Sequence, residues 1–74
     1  MPPIPDSELS VIIDGPGAAE IWCGPSLLGI AYQQPGGTVV RFESHARGPL
    51  IVSAEALERA LARVREGLSV AARV

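Results

Sequence analysis

Three clusters of glycine and proline divide the first half of this chain into segments that are too short for ordinary helices. The clusters are DGPG at residues 14–17, GPS at 24–26 and QPGG at 34–37. Glycine can adopt a positive φ and proline fixes φ, so each cluster predicts a turn. The segments around the turns are apolar and often β-branched, which is typical of strands. We predict strands over residues 9–13, 18–23, 27–33, 38–43 and 49–52.

The spacing of apolar residues changes at Ser53, where it becomes helical. Ser53 is a good N-cap, and the apolar residues that follow recur every three or four positions. Gly67 interrupts this pattern and lowers helix stability by about 1 kcal/mol relative to alanine. We therefore predict a helix over residues 54–66, with a weaker continuation to residue 72. Its apolar seam consists of Ala54, Leu57, Leu61, Val64, Leu68 and Ala71.

Together these elements predict one α+β domain over residues 9–74. An antiparallel meander of four or five short strands is covered on one face by the C-terminal helix. Residues 1–8 carry three prolines and predict an extended, flexible arm. The helical seam is shorter than the three to four heptads of a coiled coil. This favours packing on the sheet, with a helix that also makes a dimer contact as the alternative.

A chain of 74 residues has few means of stabilising itself. A core of this size rarely contributes more than about 3–5 kcal/mol, and small domains often add disulfides, metals or partner subunits. Cys23 is the only cysteine, which excludes an internal disulfide, and one cysteine with one histidine cannot form a four-ligand zinc site. We therefore predict no metal or cofactor, and association as a homo-oligomer, most simply a dimer, or with a protein partner.

Charge and hydropathy exclude two classes of partner. The net charge is −2, and the six positive charges are all arginines, so no basic surplus is available for direct nucleic-acid binding. The N-terminal segment begins with prolines and acids, unlike a signal peptide, and no segment approaches the length of a membrane span. The sequence predicts a cytoplasmic protein without a membrane partner.

The candidate catalytic residues are Cys23 and the single histidine, His45. A nucleophile and base must come within about 3 Å, with a third group that orients the imidazole. Cys23 ends an apolar strand, where a lone cysteine usually packs as a small hydrophobe. His45 lies in RFESHARGPLIV, residues 41–52, which predicts a hairpin connection with His45 exposed; a pH-dependent interface contact and a ligand or base are the alternatives. We predict no catalytic residue and a non-enzymatic protein.

Trp22 gives the most informative functional indication. Strand alternation places Trp22 with Glu20 on one face, and Ala19, Ile21 and Cys23 on the other. If the helix covers the second face, Trp22 is exposed in a monomer. Exposed aromatic anchors are frequent in protein interfaces. We predict an interaction patch of Trp22, Leu28, Ile30 and Tyr32.

Residues 38–68 resemble a family of small actinobacterial proteins of unknown function, the relatives of the developmental regulator BldB. The resemblance lies in TVVRFES, then HAR, then GPLIVSAEALERAL. It implies a non-enzymatic regulatory accessory protein whose partner is often a helix-turn-helix regulator. Leu57 and Ala60 stand where that family usually carries Trp and Phe. The matching positions are Arg41, Ser44, Gly48, Pro49, Leu50 and Ser53, with Leu57 and Leu61 on the helix.

The sequence therefore favours a small protein-interaction module with a regulatory role. The alternative is an accessory subunit or small-ligand-binding partner of an enzyme, in which the exposed sheet face closes the site of another protein. Both hypotheses depend on a sheet that one helix leaves uncovered on its second face.

Overall fold

The computed structural model describes residues 9–43 and 51–72. Within them, four strands form one antiparallel sheet in the order β1-β2-β3-β4, and one helix follows. This confirms the predicted α+β class, an antiparallel meander packed against a C-terminal helix. The elements are β1 (Ser10–Ile13), β2 (Ala18–Cys23), β3 (Ser26–Gln34), β4 (Gly37–Phe42) and α1 (Ala54–Ala72).

Glycines with positive φ lie in or beside the three connections between the strands. The turn between β2 and β3 contains only two residues, Gly24 and Pro25, and Gly24 has a φ of 59°. The turn between β3 and β4 ends at Gly37, which has a φ of 137°. A residue with a Cβ rarely adopts these backbone conformations. Glycine therefore allows the sharp chain reversals that a meander of short strands needs.

The predicted fifth strand is not formed by the residues that the structure describes. Ile51 and Val52 lie in no strand, whereas Pro49 and Leu50 lie outside the described residues. Val52 instead packs against the hydrophobic core beside the start of the helix. The predicted arm at residues 1–8 and the predicted loop that contains His45 also lie outside them.

The hydrophobic core lies between the helix and one face of the sheet. The cross-strand partners Ile21 and Val11, and Ala19 and Ala31, belong to this face, and Ile21 is completely buried. The helix packs mainly on β1 and β2 rather than across the whole sheet. The core consists of Leu9, Ala19, Ile21, Leu28, Ala31, Ala56, Ala60, Val64 and Leu68.

The side of the helix that faces the sheet differs from the predicted seam. Val64 and Leu68 are buried as the seam requires, but Leu57 and Leu61 are only half-buried and flank the core. Ala54, at the start of the predicted seam, is exposed. The most buried positions of the first two turns are alanines, which allow the helix backbone to approach the sheet closely. These alanines are Ala56 and Ala60.

Ser53 caps the helix as its sequence position predicts. The backbone N–H of Ala56 donates a hydrogen bond to Ser53 Oγ at 3.0 Å, which satisfies one of the unpaired amides of the first turn. Glu55 lies in the same turn, where a negative charge interacts favourably with the helix dipole.

Gly67 lies inside the helix, which extends to Ala72. A Cβ at Gly67 would overlap Ile13 Cδ1 and would lie 2.7 Å from Ile13 Cγ1, so the missing side chain makes room for the isoleucine of β1. This contact gives a reason for glycine at a helical position. The tertiary contact with β1 offsets the low helix propensity of glycine.

We expect Gly67→Ala to stabilise an Ile13→Ala background by about 1 kcal/mol more than it stabilises the wild type. In the wild type, the new methyl group must displace Ile13, and this offsets the gain in helix propensity. Urea unfolding of the wild type, both single variants and the double variant measures the difference. An equal effect of Gly67→Ala in both backgrounds would show that Ile13 does not pack on Gly67.

Candidate functional site

The candidate site is the sheet face opposite the helix, which we call the open face. Alternation along the strands directs one set of side chains away from the core, and the register aligns them in three rows across the sheet. No described element packs on this face, since the one described helix packs on the other. The first row is Ser10, Trp22 and Leu27; the middle row is Ile12, Glu20, Ile30 and Arg41; the last row is Ala18, Tyr32 and Val39.

The open face is largely apolar and partly exposed. Ile12 is 51% exposed and Val39 is 43% exposed, although both are β-branched hydrophobes. Trp22, Ile30 and Tyr32 are half-buried between their cross-strand neighbours. Isolated exposed hydrophobic side chains are common on protein surfaces, but a contiguous group of them is typical of interaction sites.

The polar side chains of the open face bond to neighbours on the same side of the sheet. The indole N–H of Trp22 donates a hydrogen bond to Glu20 Oε1 at 2.9 Å. Arg41 forms a salt bridge with Glu43 at 3.1 Å, and its guanidinium carbon lies 5.8 Å from the centre of the Tyr32 ring. Because this salt bridge is exposed, it contributes little to stability. Its effect is to hold Arg41 beside the aromatic ring.

The predicted interaction patch needs one correction. Trp22, Ile30 and Tyr32 lie on the open face, but Leu28 is only 7% exposed and belongs to the core. The cause is a β-bulge: the register between β2 and β3 shifts after Ile21, so that Trp22 pairs with Leu27. The extra residue in β3 reverses the alternation, which places Leu27 rather than Leu28 beside Trp22.

Sequence reasoning also missed residues at both edges of the open face. Ile12 pairs with Glu20, and Val39 pairs with Tyr32, so both extend the patch to the outer strands. Alternation in β1 could have indicated Ile12, because Val11 and Ile13 must face the helix if β1 covers the core. Val39 lies beside Tyr32 only because of the register between β3 and β4, so the sequence of β4 alone does not place Val39 in the patch.

Cys23 lies on the helix side of the sheet, away from the open face. It is half-buried and packs against the core. His45, the other residue considered for catalysis and predicted to be an exposed loop residue, lies outside the described residues. Among the residues that the structure does describe, no group of three or more His, Cys, Asp or Glu side chains could hold a metal ion.

A second surface feature is a shallow, mainly apolar groove of about 460 Å³ between β1 and the C-terminal half of the helix. Arg63 lines it, and its guanidinium group donates a hydrogen bond to the backbone carbonyl of Leu9. Arg63 therefore fastens the helix to the residue before β1. Gly67 and Ile13, which lie against each other, also line this groove.

Two other exposed hydrophobic residues, Phe42 and Ile51, adjoin residues 44–50, which lie outside the described part of the chain. In the described residues, no helix is long and apolar enough to cross a lipid bilayer.

Comparisons of the chain with protein-family models, with curated proteins and with solved structures found no match, so the resemblance of residues 38–68 to the BldB relatives stays a hypothesis.

Proposed function

We propose that this protein is a small, non-enzymatic interaction module that binds protein through its open face. The observation that carries the proposal is that residues 9–43 and 51–72 cover the sheet on one side only. One helix packs on one face, while the opposite face presents rows of hydrophobic and aromatic side chains. Contact with a protein surface would remove those side chains from water.

The shape of the open face suits protein binding. It is formed by strands, so its backbone is held by the sheet and little order is lost on binding. Trp22 and Tyr32 present rigid aromatic area near its centre, and aromatic residues are enriched in the energetically important parts of interfaces. Ile12 and Val39 extend the apolar area towards the edges.

The polar groups of the open face also favour binding over catalysis. Glu20 accepts a hydrogen bond from Trp22, and Arg41 pairs with Glu43. These bonds fix the position of both charges, as in an interface that selects its partner by electrostatic complementarity. The chemistry of this face supports recognition rather than nucleophilic or acid–base reaction.

The biological role that we propose is that of a cytoplasmic regulatory accessory protein. The resemblance of residues 38–68 to the BldB relatives supports this role, and it makes a helix-turn-helix regulator the first heterologous partner to test. In that case the regulator would contact nucleic acid, while this acidic chain would bind the regulator.

The proposal is tested by comparing three baits in affinity capture from the source cells: the wild type, Val39→Glu and Val70→Glu. Both substitutions place a carboxylate at an exposed valine, but Val39 lies on the open face and Val70 lies on the helix, 54% exposed. We expect the Val70→Glu bait to recover the same bound proteins as the wild type. The Val39→Glu bait should lose about tenfold or more, because burial of an unpaired charge costs more than about 1.4 kcal/mol.

Circular dichroism of each bait checks that both variants fold. Recovery of the same proteins by all three baits, or loss with Val70→Glu alone, would show that the open face is not the binding surface.

A further inference from the structure

We infer that the open face binds a second copy of this chain, in a two-fold, face-to-face dimer whose axis runs parallel to β3. The inference rests on the proposed function, because it names the occupant of the surface proposed there. Two sheets that pack in this way form a β-sandwich in which the sheets lie about 10 Å apart and the side chains of the two open faces interdigitate.

The charge pattern of the middle row makes the open face complementary to itself. Glu20 on β2 pairs with Ile30 on β3, and Ile30 pairs with Arg41 on β4. A negative and a positive side chain therefore flank a central isoleucine, each about one strand spacing, roughly 4.8 Å, from it. A two-fold axis along β3 exchanges the positions of β2 and β4. Glu20 of each copy then lies opposite Arg41 of the other.

The same pattern disfavours the other face-to-face arrangement. A two-fold axis that runs across the strands, along the middle row, places Glu20 opposite Glu20 and Arg41 opposite Arg41. Like charges in an interface cost several kcal/mol, whereas opposite charges favour the correct register. The charges of Glu20 and Arg41 therefore favour the axis along β3 over the axis across the strands.

Both charges can bond across the interface without losing their present contacts. The carboxylate of Glu20 accepts one hydrogen bond from Trp22, and a carboxylate has further acceptor sites. Arg41 uses one amino group, Nη2, in its salt bridge with Glu43, and a guanidinium group has five N–H donors. Bonds between the copies would add to the contacts within each copy.

The apolar side chains fit the same axis. In the last row, Ala18 on β2 and Val39 on β4 flank Tyr32 on β3. The axis places the small Ala18 opposite the larger Val39 of the second copy. Along the axis itself, Ile30 meets Ile30 and Tyr32 meets Tyr32. A small side chain opposite a larger one, as at Ala18 and Val39, is what two packed sheet faces require. The Tyr32 pair instead brings two aromatic rings together on the axis.

The size of the open face indicates a weak dimer. Three overlapping strands, about 4.8 Å apart, and three rows, about 7 Å apart, cover a few hundred Å² per copy. A stable complex usually buries about 800 Å² per partner, and smaller interfaces belong to transient complexes. We expect dissociation constants from about 10 μM to about 1 mM, so that the dimer forms and separates readily.

The inference is tested by charge reversal, followed by sedimentation velocity and by NMR of a ¹⁵N-labelled copy titrated with an unlabelled one. The purified wild type should associate as its concentration rises. Glu20→Arg and Arg41→Glu should each weaken self-association by about tenfold or more, because each variant places like charges opposite each other. An equimolar mixture of these two variants should form a heterodimer. In it, the two arginines of the Glu20→Arg copy face the two glutamates of the Arg41→Glu copy.

The double variant Glu20→Arg with Arg41→Glu distinguishes the two axes. With the axis along β3, it should associate with itself as the wild type does, and it should not pair with the wild type. With the axis across the strands, it should pair with the wild type better than with itself, which would overturn the inference. Circular dichroism confirms the fold of each variant, and recovery of self-association in the double variant shows that neither substitution acts by unfolding.

A wild type that remains monomeric at about 1 mM would also overturn the inference. So would charge variants that self-associate like the wild type. In either case, loss of captured proteins with Val39→Glu but not with Val70→Glu would leave the proposed function standing with a different protein as the occupant. If the Val39→Glu bait also captures the same proteins as the wild type, both proposals fail.

Discussion

Ile21→Ala is expected to leave most molecules unfolded at room temperature, or close to unfolding. Ile21, a residue of β2, is completely buried between the sheet and the helix. Replacing a buried isoleucine with alanine costs about 2–5 kcal/mol, since apolar contacts are lost and a cavity remains. A core of this size contributes about 3–5 kcal/mol in total, so one substitution removes most or all of it. Urea unfolding followed by circular dichroism measures the loss.

Ile12→Ala is the matched control, because it removes the same atoms from the neighbouring strand. Ile12 lies on the open face and is 51% exposed, so its replacement should change the free energy of unfolding by about 0.5 kcal/mol or less. The measurement is made at low protein concentration, where the weak dimer does not contribute. Equal losses from both substitutions would mean that the helix does not select one face of the sheet.

Gly29→Ala is expected to destabilise the protein by about 1–3 kcal/mol, which is typical of overpacking. A Cβ at Gly29 would lie 2.7 Å from the backbone carbonyl oxygen of Arg41 and 3.3 Å from Val40 Cγ1. A backbone oxygen cannot rotate away as a side chain can, so β3 and β4 must separate. Alanine in place of glycine gains about 0.5–1 kcal/mol in backbone entropy, which is less than the expected cost.

Gly29→Ala should loosen the pairing of β3 and β4 locally, in addition to lowering the free energy of unfolding of the whole domain. The backbone N–H of Glu43 donates a hydrogen bond to the carbonyl of Leu28 at 3.0 Å, next to the site of the clash. We expect amide hydrogen exchange at Glu43 and along β4 to accelerate in Gly29→Ala more than exchange in β1.

Gly36→Ala is the control for Gly29→Ala. Gly36 lies in the turn between β3 and β4, a Cβ added there would have no atom within 4 Å, and its φ is not in the left-handed region. This substitution should leave the urea midpoint nearly unchanged. If Gly29→Ala and Gly36→Ala unfold at the same midpoint, β4 does not pack against Gly29 at the distance described.

The strand order and the faces of β2 could be predicted from local signals. The turn residues divide the chain, and each connection is too short for anything but an antiparallel neighbour. Alternation in β2 separates Glu20 and Trp22 from Ala19 and Ile21, and the burial of the last two agrees with it. The helix start at Ser53 is a local signal of the same kind.

The position of Leu28 could not be predicted in this way. Alternation places Leu28 with Ile30, but the bulge opposite Ile21 and Trp22 moves it into the core. A bulge depends on how two strands align, and a single strand carries no record of that alignment. The open face therefore contains Leu27 instead.

The sequence by itself determined the order and type of the four described strands and of the helix, because turn residues and hydrophobic period act within a few residues of one another. The fifth strand that it also predicted is not formed at Ile51 and Val52. Only the tertiary structure decided how those elements face each other. It buries Ala56 and Ala60 more deeply than Leu57 and Leu61, although leucine is more hydrophobic. It also continues the helix through Gly67, where Ile13 packs. Both outcomes follow from the close packing of segments that are distant in the sequence. The space between two such segments depends on both of them, so neither segment alone can predict it.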